Sequence, residues 1–576
     1  MTDPSAPPRT KPANLIYDVD ESPGPGALLM QGIQHIFIIT IAFVFPVLIV
    51  DAIGGADHDA RHLISMTMLI SGIATILQGL NRGPVGSGYL CPMLNGPAFL
   101  SASILAGKAG GLPLIFGMTM IAGVFEAFFS RVAVKMRAFF PAEVTGTIVT
   151  MVGIEVIPFA MKRFVGIDAV HTSPDLTESV IALATLLAMI GFTVWGKGKI
   201  RLYAVLFGML IGYALSFFLG VLGADELRHF GDSPWLSWPA PGSYGLSFST
   251  ALIVPFVVAA LSSALKTMGD LTTCQKINDA GWKRPDMKSI SRGILASSCG
   301  NILSGLGGAL GQSPSSSNIG LSIATGATSR TIAYATGGIL IALAFLPKAA
   351  AIFVIMPTPV MGASLVFAVS FMVIAGIQIM VSRMIDARKT FVIGTSIVFG
   401  LSVDFIPGLY AGLPAAVKPF FQSSLSLATL SAIVLNLFMR IGIARTATLE
   451  LAPGVDSSDK VFAFMQKQGG LWGAMPDVIA RASNAINETL EAAEYSSAAE
   501  GPLHVAVTFD EFNLDVEITY RGAPMIIPDR EPSEDEVMAS SAGMAKLSLF
   551  FIHQNADKVE SHVKNGLCRL RLHYTH

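Results

Sequence analysis

Two short stretches rich in Gly, Ser and Pro interrupt otherwise apolar runs of this chain. The first is GYLCPMLNGPAFLSAS at residues 88–103, and the second is GQSPSSSNIGLSIATG at residues 311–326. Lipid offers no partner to a free backbone N–H or C=O, so an interrupted segment persists at membrane depth only where protein buries it or where it lines a cavity. Interrupted segments at corresponding places in two halves are typical of the midplane binding site of a secondary transporter. The pair therefore predicts a transporter with a central site.

Composition places the chain in a membrane. Of its 576 residues, 52% are hydrophobic and 14% are charged, whereas a soluble domain averages about 25% charged residues. A run of roughly 20 apolar residues is long enough to span a bilayer. Twelve such runs and the two interrupted stretches predict an all-α polytopic membrane protein with about fourteen transmembrane segments. The runs lie near residues 27–50, 63–80, 113–130, 143–160, 178–195, 201–222, 250–272, 288–307, 331–356, 359–381, 390–409 and 422–440.

Lys and Arg accumulate in the loops that follow even-numbered segments. Loops after odd-numbered segments are acidic or poor in these residues, as at 51–62, 223–232 and 403–408. Since cytoplasmic loops carry the excess of basic residues, the alternation predicts a multi-pass protein of the cell membrane with both termini in the cytoplasm. The basic loop residues are Arg82, Arg131, Lys135, Arg137, Lys197, Lys199, Arg201, Lys276, Lys283, Arg284, Lys288, Arg330, Arg383, Arg388 and Lys389.

Segments 1–7 and 8–14 each carry an interrupted stretch at their third position. An odd number of segments per half inverts the second half relative to the first, which predicts 7+7 inverted repeats with broken helices at segments 3 and 10. This repeat follows from topology rather than from matching residues.

The two ends of the chain differ from the membrane domain, which is predicted at residues 27–445. Residues 1–26 are rich in Pro and acidic residues and have no cleavable signal peptide, so a disordered cytoplasmic leader is expected. Residues 446–576 regain an ordinary charge density, and their patterns predict a small cytoplasmic α+β domain with a regulatory role. The four cysteines lack metal or disulfide spacing, so no metal or other cofactor is expected. The patterns are helix-like at 475–495 and 533–553, and strand-like at 504–509, 514–520 and 568–574.

Several dispersed motifs between residues 27 and 442 resemble those of the nucleobase-ascorbate transporters, also called the xanthine/uracil permeases. Segment 1 contains the Gln34-His35 pair typical of that family, residues 140–158 are similar to its fifth segment, and residues 357–378 to its twelfth. The family signature of the tenth segment is matched by Asn318, Gly320 and Thr325.

The resemblance implies a secondary transporter of a nucleobase such as xanthine, urate or uracil, or of a related small anion, with H⁺ as the coupling cation. It also implies a homodimer in which a core domain, segments 1–4 and 8–11, moves against a gate domain, segments 5–7 and 12–14. The expected partners are the small-molecule substrate, the cation and the lipid bilayer, with no nucleic acid polymer. No bond-making chemistry is expected, so the protein is not predicted to be an enzyme.

The chemistry of a nucleobase fits the interrupted stretches. A flat heteroaromatic base carries donors and acceptors around its edge, and a dry pocket loses about 1–3 kcal/mol for each group left unpaired. Backbone amides near Ala98-Phe99 and Ser316-Ser317 are predicted to pair these groups, helped by the half-helix N-termini. The Phe99 ring either stacks on the base or packs a helix interface. His35 either supports the site by hydrogen bonding or is a satisfied core histidine.

Two positions depart from the family pattern. Most relatives carry a Glu in the eighth segment and an acidic or amide residue before Asn318, where this chain has Lys266 and Ser317. Asp270 lies one helical turn after Lys266, on the same face. Lys266 is therefore either held in a bridge with Asp270 or contacts the substrate and favours a small anion. The predicted substrate-binding set is Gln34, His35, Ala98, Phe99, Lys266, Asp270, Ser316, Ser317 and Asn318, with Gly320 and Thr325 as structural motif residues.

Three alternative functions remain open at the level of sequence. One is an anion transporter or exchanger of the related sulfate and bicarbonate carrier fold, which Lys266 would suit. A second is a ligand-sensing membrane receptor that signals through its C-terminal domain. A third is a kinase module fused to a permease, because RASNAINETLEAAEY weakly resembles the Asn-bearing helix of the histidine-kinase-like ATPase fold of anti-sigma-factor kinases. Asn484 matches there, but Ala480 replaces the usual Glu, so a degenerate regulatory domain is expected rather than an active kinase.

Overall fold

The computed structural model divides the chain into two compact units, Met1–Asn436 and Leu437–His576. It describes residues 9–576 except 134–138, 168–172, 198–202, 224–230, 232–233, 283–284, 383–384, 407, 415–416, 422, 455–457, 527, 529, 531 and 565. Part of the orientation prediction therefore rests on residues outside this description, namely Lys135, Arg137, Lys199, Arg201, Lys283, Arg284 and Arg383.

The first unit is a bundle of apolar helices. Seven helices or helix runs of the described residues are long and apolar enough to cross a membrane alone, and a bent pair makes an eighth. The fold is thus a mostly helical polytopic membrane protein, as predicted. The helices are α1 (Pro25–Ile39), α2 (Val44–Ile53), α3 (Asp57–Gly79), α4 (Leu100–Val132), α5 (Ala142–Phe164), α6 (Leu176–Val194), α7 (Ala204–Phe218), α8 (Ile253–Ile277), α9 (Met287–Gly307), α10 (Ser316–Thr325), α11 (Arg330–Ala344), α12 (Pro347–Val354), α13 (Thr358–Met380), α14 (Ala387–Phe405) and α15 (Ser424–Met439).

Each of the fourteen predicted segments falls on helical structure, but two of the uninterrupted ones consist of two α-helices each. The segment predicted at 27–50 comprises α1 and α2, which a 3₁₀ turn at Thr40–Phe43 joins. The segment predicted at 331–356 is not a single helix, because α11 ends at Ala344 and α12 leaves it at an angle of 85°. Pro347 occupies the first position of α12. A proline lacks the N–H that would continue α11 and is well tolerated at a helix start, which explains the bend.

The two interrupted stretches meet at the centre of this unit. Each contains a three-residue strand, β1 (Met93–Asn95) and β2 (Gln312–Pro314), and the two strands pair antiparallel with Leu94 opposite Ser313. The pairing continues at both ends, because Gly96 N donates to Gly311 O at 2.7 Å and Ser315 N donates to Pro92 O at 2.9 Å. The broken backbones therefore satisfy one another, as buried irregular segments in a membrane must.

A glycine pair separates segment 3 from segment 4 inside α4. Gly110 and Gly111 leave the helical conformation, and Gly111 adopts φ 70°, which residues with a Cβ rarely do. Pro113 follows after Leu112, near the start of the next helical stretch. The sequence Gly-Gly-Leu-Pro is thus the local reason that α4 comprises two segments.

The helix contacts of one half of the membrane unit recur in the other half. The equivalent contact is found by adding seven to a segment number of the first half and subtracting seven from a segment number of the second half. Segment 2 (α3) packs on segment 11 (α11), and segment 9 (α9) packs on segment 4, the second half of α4. Segment 1 likewise contacts segment 11, and segment 8 contacts segment 4. Gly72 and Gly123 sit at the first two contacts, where an added Cβ would lie 2.6 Å from Gly337 O and 2.7 Å from Ile302 N. This pattern is the one expected of two structural repeats.

The leader is more ordered than predicted. Residues 1–8 lie outside the described residues, but Ile16 N and Tyr17 N donate to Gly326 O at 2.8 and 3.1 Å. Val19 is buried, and its carbonyl accepts a hydrogen bond from the buried Arg330 side chain at 3.1 Å. The prediction of disorder is therefore wrong for residues 15–21. The reason is that the turn after α10 leaves backbone groups that this segment pairs.

The second unit is an α+β domain. Its five strands form one antiparallel sheet in the order β3-β4-β5-β7-β6. The patterns noted in the sequence fall on α17, β4, β5, α18–α19 and β7, whereas β3, α16 and β6 were not predicted. The elements are β3 (Arg445–Leu451), α16 (Ser458–Trp472), α17 (Pro476–Ser496), β4 (Leu503–Phe509), β5 (Asn513–Arg521), α18 (Glu534–Ala539), α19 (Ser541–Asn555), β6 (Lys558–Lys564) and β7 (Leu567–Thr575).

Candidate substrate site

The first turn of α10 is the point at which most of the predicted site residues meet. Ser315 caps the helix, and its hydroxyl accepts hydrogen bonds from the backbone and side-chain nitrogens of Asn318 at 3.4 and 2.9 Å. Ser316, Ser317 and Asn318 then form the turn. Two groups of side chains from other helices attach to it, one through Ser316 and one through Asn318.

The Lys266–Asp270 pair of α8 attaches to Ser316. Lys266 Nζ lies 3.0 Å from Asp270 Oδ2 and also donates to the carbonyl of Pro314 on β2. The other carboxylate oxygen of Asp270 accepts a hydrogen bond from Ser316 Oγ at 2.8 Å. The bridge that the sequence left open is therefore present. Because an ammonium group has three N–H donors, one donor of Lys266 has no acceptor among the described residues and can contact a ligand.

His35 of α1 attaches to Asn318. The two side chains are buried, and His35 Nδ1 lies 2.9 Å from Asn318 Oδ1. The amide oxygen accepts, so Nδ1 carries the proton and Nε2 of the neutral ring is an acceptor. Nε2 of His35 and Oε1 of the adjacent buried Gln34 have no hydrogen-bond partner among the described residues. Buried polar atoms normally have partners, so these two are candidates for ligand contacts.

The first interrupted stretch contributes less than predicted. Ala98 and Phe99 lie buried in a 3₁₀ turn after β1, and the Phe99 amide donates to Gly96 O at 3.0 Å. This amide is therefore unavailable to a ligand, which corrects the prediction for Phe99. The Phe99 ring packs directly on Gly311, where a Cβ would lie 2.5 Å from its Cγ. Packing of an interface, one of the two roles considered for this ring, is thus present.

The second interrupted stretch retains its predicted backbone donors. The amides of Ser316 and Ser317 belong to the first helical turn, which an α-helix cannot pair internally. Neither amide has an acceptor in the part of the chain that the structure describes. Ser317 and Gly320 are both exposed, whereas Thr325 bonds only to its own helix, with Oγ1 donating to Leu321 O at 2.9 Å. Thr325 therefore has a structural position and Ser317 an accessible one.

Sequence reasoning missed two amide side chains that join the interrupted stretches. Gln312 Nε2 donates to Asn95 Oδ1 at 3.1 Å, across the β1–β2 pair. Gln312 Oε1 accepts a hydrogen bond from Ser71 Oγ of α3 at 2.6 Å. Both amides are buried. A signal was present, because Asn and Gln inside apolar segments are costly unless they have partners.

The described residues of the C-terminal unit form no comparable cluster for the kinase hypothesis. Asn484 is exposed on α17, and the helix faces the sheet through Ala482, Ala485 and Ile486. The resemblance to the histidine-kinase-like ATPase fold stays a prediction.

A polytopic helical unit whose two broken segments pair around a polar cluster defines the protein as a membrane transporter rather than an enzyme. The family follows from comparison with known sequences. The chain belongs to the Permease family of xanthine/uracil permeases, which it matches over residues 26–409.

Named relatives agree with this assignment. A candidate purine permease of Clostridium perfringens, CPE0397, is 31% identical over 433 residues, covering 74% of this chain and 93% of the relative. The xanthine permease XanQ of Escherichia coli K12 is 26% identical and covers 78% of this chain and 98% of its own length. A xanthine permease of Bacillus subtilis is 28% identical over 430 residues, which cover 73% of this chain and 95% of the relative.

Two solved structures of anion transporters also align with the chain. The transmembrane domain of the cyanobacterial bicarbonate transporter BicA aligns with a TM-score of 0.43 and 17% identity, covering 73% of this chain and 99% of that domain. SLC26A9 aligns with a TM-score of 0.48 and 10% identity, covering 74% of this chain and 68% of the SLC26A9 chain.

Proposed function

We propose that this protein takes up xanthine or a closely related purine by symport with H⁺. In this proposal both termini and the C-terminal unit are cytoplasmic, the protein is a homodimer, and the core domain carries the substrate past the gate domain. The purine relatives support the substrate class, and the alternation of basic loops supports the orientation.

The carrying observation is the set of donors and acceptors without protein partners, among the described residues, at the first turn of α10 and on the helices that contact it. The donors are the Ser316 and Ser317 amides and the third N–H of Lys266, and the acceptors are His35 Nε2 and Gln34 Oε1. The edge of an oxopurine carries C=O and N–H groups that such donors and acceptors can pair. A site built to pair such an edge rejects analogues that lack one group, because a buried partner is then left unpaired.

Charge balance refines the expected substrate. Lys266 and Asp270 neutralise each other at 3.0 Å, so the pair brings no net charge to the site. A neutral purine is then favoured, because a fully ionised inorganic anion would find Lys266, the cation described at this site, already paired. The anion preference considered for Lys266 is accordingly replaced by a preference for neutral xanthine over urate or sulfate.

The test is uptake of radiolabelled xanthine into proteoliposomes that contain the purified full chain. We expect xanthine uptake that an inward proton gradient accelerates, with competition by excess unlabelled purines and none by sulfate. Sulfate uptake without xanthine uptake would overturn the proposal in favour of an anion carrier. Xanthine binding without transport of any of these solutes would overturn it in favour of a receptor.

A further inference from the structure

A second buried carboxylate lies behind the substrate site. Glu126 is on the second half of α4 and is fully buried. Its Oε2 accepts a hydrogen bond from Asn301 Nδ2 of α9 at 2.6 Å, and its Oε1 lies 3.3 Å from Ser263 Oγ of α8. Neither Lys nor Arg forms an ion pair with it among the described residues. A buried carboxylate without a cation is expensive in its ionised form, and such groups neutralise by binding a proton.

The hydrogen bonds of Glu126 lead to the second interrupted stretch. Asn301 Oδ1 accepts the backbone N–H of Gln312 on β2 at 2.5 Å. Ser263 Oγ also lies 3.3 Å from Gln312 O. Two of the groups that hold Glu126 therefore hold β2 as well. β2 in turn pairs with β1 and leads directly into the first turn of α10.

The surroundings of Glu126 leave it distinct from the other charged groups. On α8, Lys266 and Asp270 are engaged with each other, with Pro314 and with Ser316. On α9 the titratable group that interacts electrostatically with Glu126 is the Cys299 thiol. On α2, Asp51 is paired with Arg163 at 2.7 Å. Among the described residues, therefore, no Lys or Arg pairs with an ionised Glu126.

We propose that Glu126 binds the coupling proton of this transporter, an inference that rests on the proposed function. A hydronium ion in the outward-facing site loses one O–H bond and becomes water, an O–H bond forms at Glu126 Oε1, and the neutral acid donates to Ser263 Oγ. In this state Ser263 donates to Gln312 O, and β2 holds the first turn of α10 in place for the substrate. When the site opens to the cytoplasm, the O–H bond breaks, the proton leaves to water, and the ionised Glu126 loosens the β2 anchor.

The proposal assigns a different role to the Lys266–Asp270 pair. That pair is internally neutral and touches the substrate turn directly, so it positions the substrate without changing charge. Glu126 changes charge without touching the substrate. Substrate and proton are thereby bound at separate places that β2 connects, and both places lie on the core domain, in segments 4, 8, 9 and 10.

The test compares Glu126→Gln with Glu155→Gln. Gln has the shape of Glu, and its oxygen and nitrogen can face Asn301 and Ser263 without a charge. Glu155 is the matched control, since it is a buried carboxylate on α5 of the gate domain that accepts from Ser423 Oγ at 2.8 Å. In proteoliposomes, net xanthine uptake under an inward proton gradient and xanthine exchange at equal pH are measured for each variant.

We expect Glu126→Gln to lose stimulation by the proton gradient and to keep exchange, while Glu155→Gln keeps both. Stimulation of Glu126→Gln equal to that of the wild type overturns the assignment. If the wild type exchanges xanthine but the proton gradient has no effect on its uptake, proton coupling is overturned and purine transport is not. Absence of xanthine exchange in the wild type instead contradicts the proposed function.

Infrared difference spectroscopy supplies a readout that does not depend on the substrate. The purified full chain is titrated in detergent, and the carbonyl band of a protonated carboxylic acid is followed. Glu155 is also a buried carboxylate and can contribute a component of its own. We therefore expect Glu126→Gln to lose a component of the band that Glu155→Gln retains. A band in Glu126→Gln with the same intensity as in the wild type would show that Glu126 is not a protonated group and would overturn the proposal.

Discussion

The two interrupted stretches have the same backbone plan and different chemistry. Both contain a three-residue strand, and the strands pair with each other. After β1 the chain makes a 3₁₀ turn whose Phe99 amide is already bonded to Gly96. After β2 it starts α10, whose first two amides have no acceptor among the described residues and whose Ser and Asn side chains reach Asp270 and His35.

The difference indicates how two similar halves can make one asymmetric site. Backbone pairing needs both stretches, because each strand satisfies the other inside the membrane. Recognition of a substrate needs unpaired donors and acceptors, and among the described residues the second stretch combines two such amides with polar side chains that reach other helices. In the proposed function the first stretch is a support, whose Phe99 ring packs on Gly311, and the second stretch is the part that discriminates between ligands.

The largest loss of stability should come from breaking the Lys266–Asp270 pair, which bonds to the second stretch. Lys266→Met leaves Asp270 buried without its cation, which typically costs about 3–5 kcal/mol. Thermal unfolding in detergent, with and without xanthine, measures the loss. The double variant Lys266→Met/Asp270→Asn should recover much of the stability but not the xanthine affinity. Equal stability of the single and double variants would mean that the pair does not hold the site together.

A smaller loss of stability and of xanthine binding should follow when the first stretch is pushed away from the second. Gly311→Ala forces a Cβ against the Phe99 ring, and such overpacking typically costs about 1–3 kcal/mol. Gly320→Ala is the matched control on α10, where an added Cβ meets nothing within 4 Å. Melting temperature and xanthine binding should fall only for Gly311→Ala. A similar loss in both variants would contradict the role of the Phe99 contact.

The third prediction is a loss of xanthine affinity on removal of an acceptor beside the second stretch, His35 Nε2. His35→Ala removes Nε2 while leaving the helix in place, so xanthine affinity should fall roughly 10- to 100-fold, the value of one buried hydrogen-bonding group. Calorimetric titration of xanthine measures this. Thr325→Ala, whose hydroxyl bonds only within α10, should bind as the wild type does. An unchanged affinity of His35→Ala would make His35 a structural residue.

Much of the fold could be predicted from the sequence because lipid restricts the possible answers. Runs of apolar residues located the helices, and the interrupted stretches located the pair β1–β2. The bend between α11 and α12 was missed because hydropathy is continuous across Pro347. The order of residues 15–21 was missed because composition cannot reveal that Val19 and Arg330 meet.

The candidate site was predicted in part. Lys266 and Asp270 were placed on one helical face by their spacing, and the bridge between them is present. The contacts of His35 with Asn318 and of Gln312 with Asn95 join residues more than 200 positions apart. No local pattern encodes such pairs, so only the folded structure reveals which polar atoms are used up and which stay available.

Calorimetric binding of xanthine to two variants of Ser316 tests the central claim most directly. Ser316→Ala removes the hydroxyl that bonds Asp270, whereas Ser316→Pro removes the hydroxyl and the backbone N–H. Proline suits this first helical position, and the extended Ser315 before it is compatible with proline. We predict that Ser316→Pro binds xanthine roughly tenfold more weakly than Ser316→Ala, because one backbone donor to the substrate is lost. Equal affinities of the two variants would contradict recognition by the second interrupted stretch.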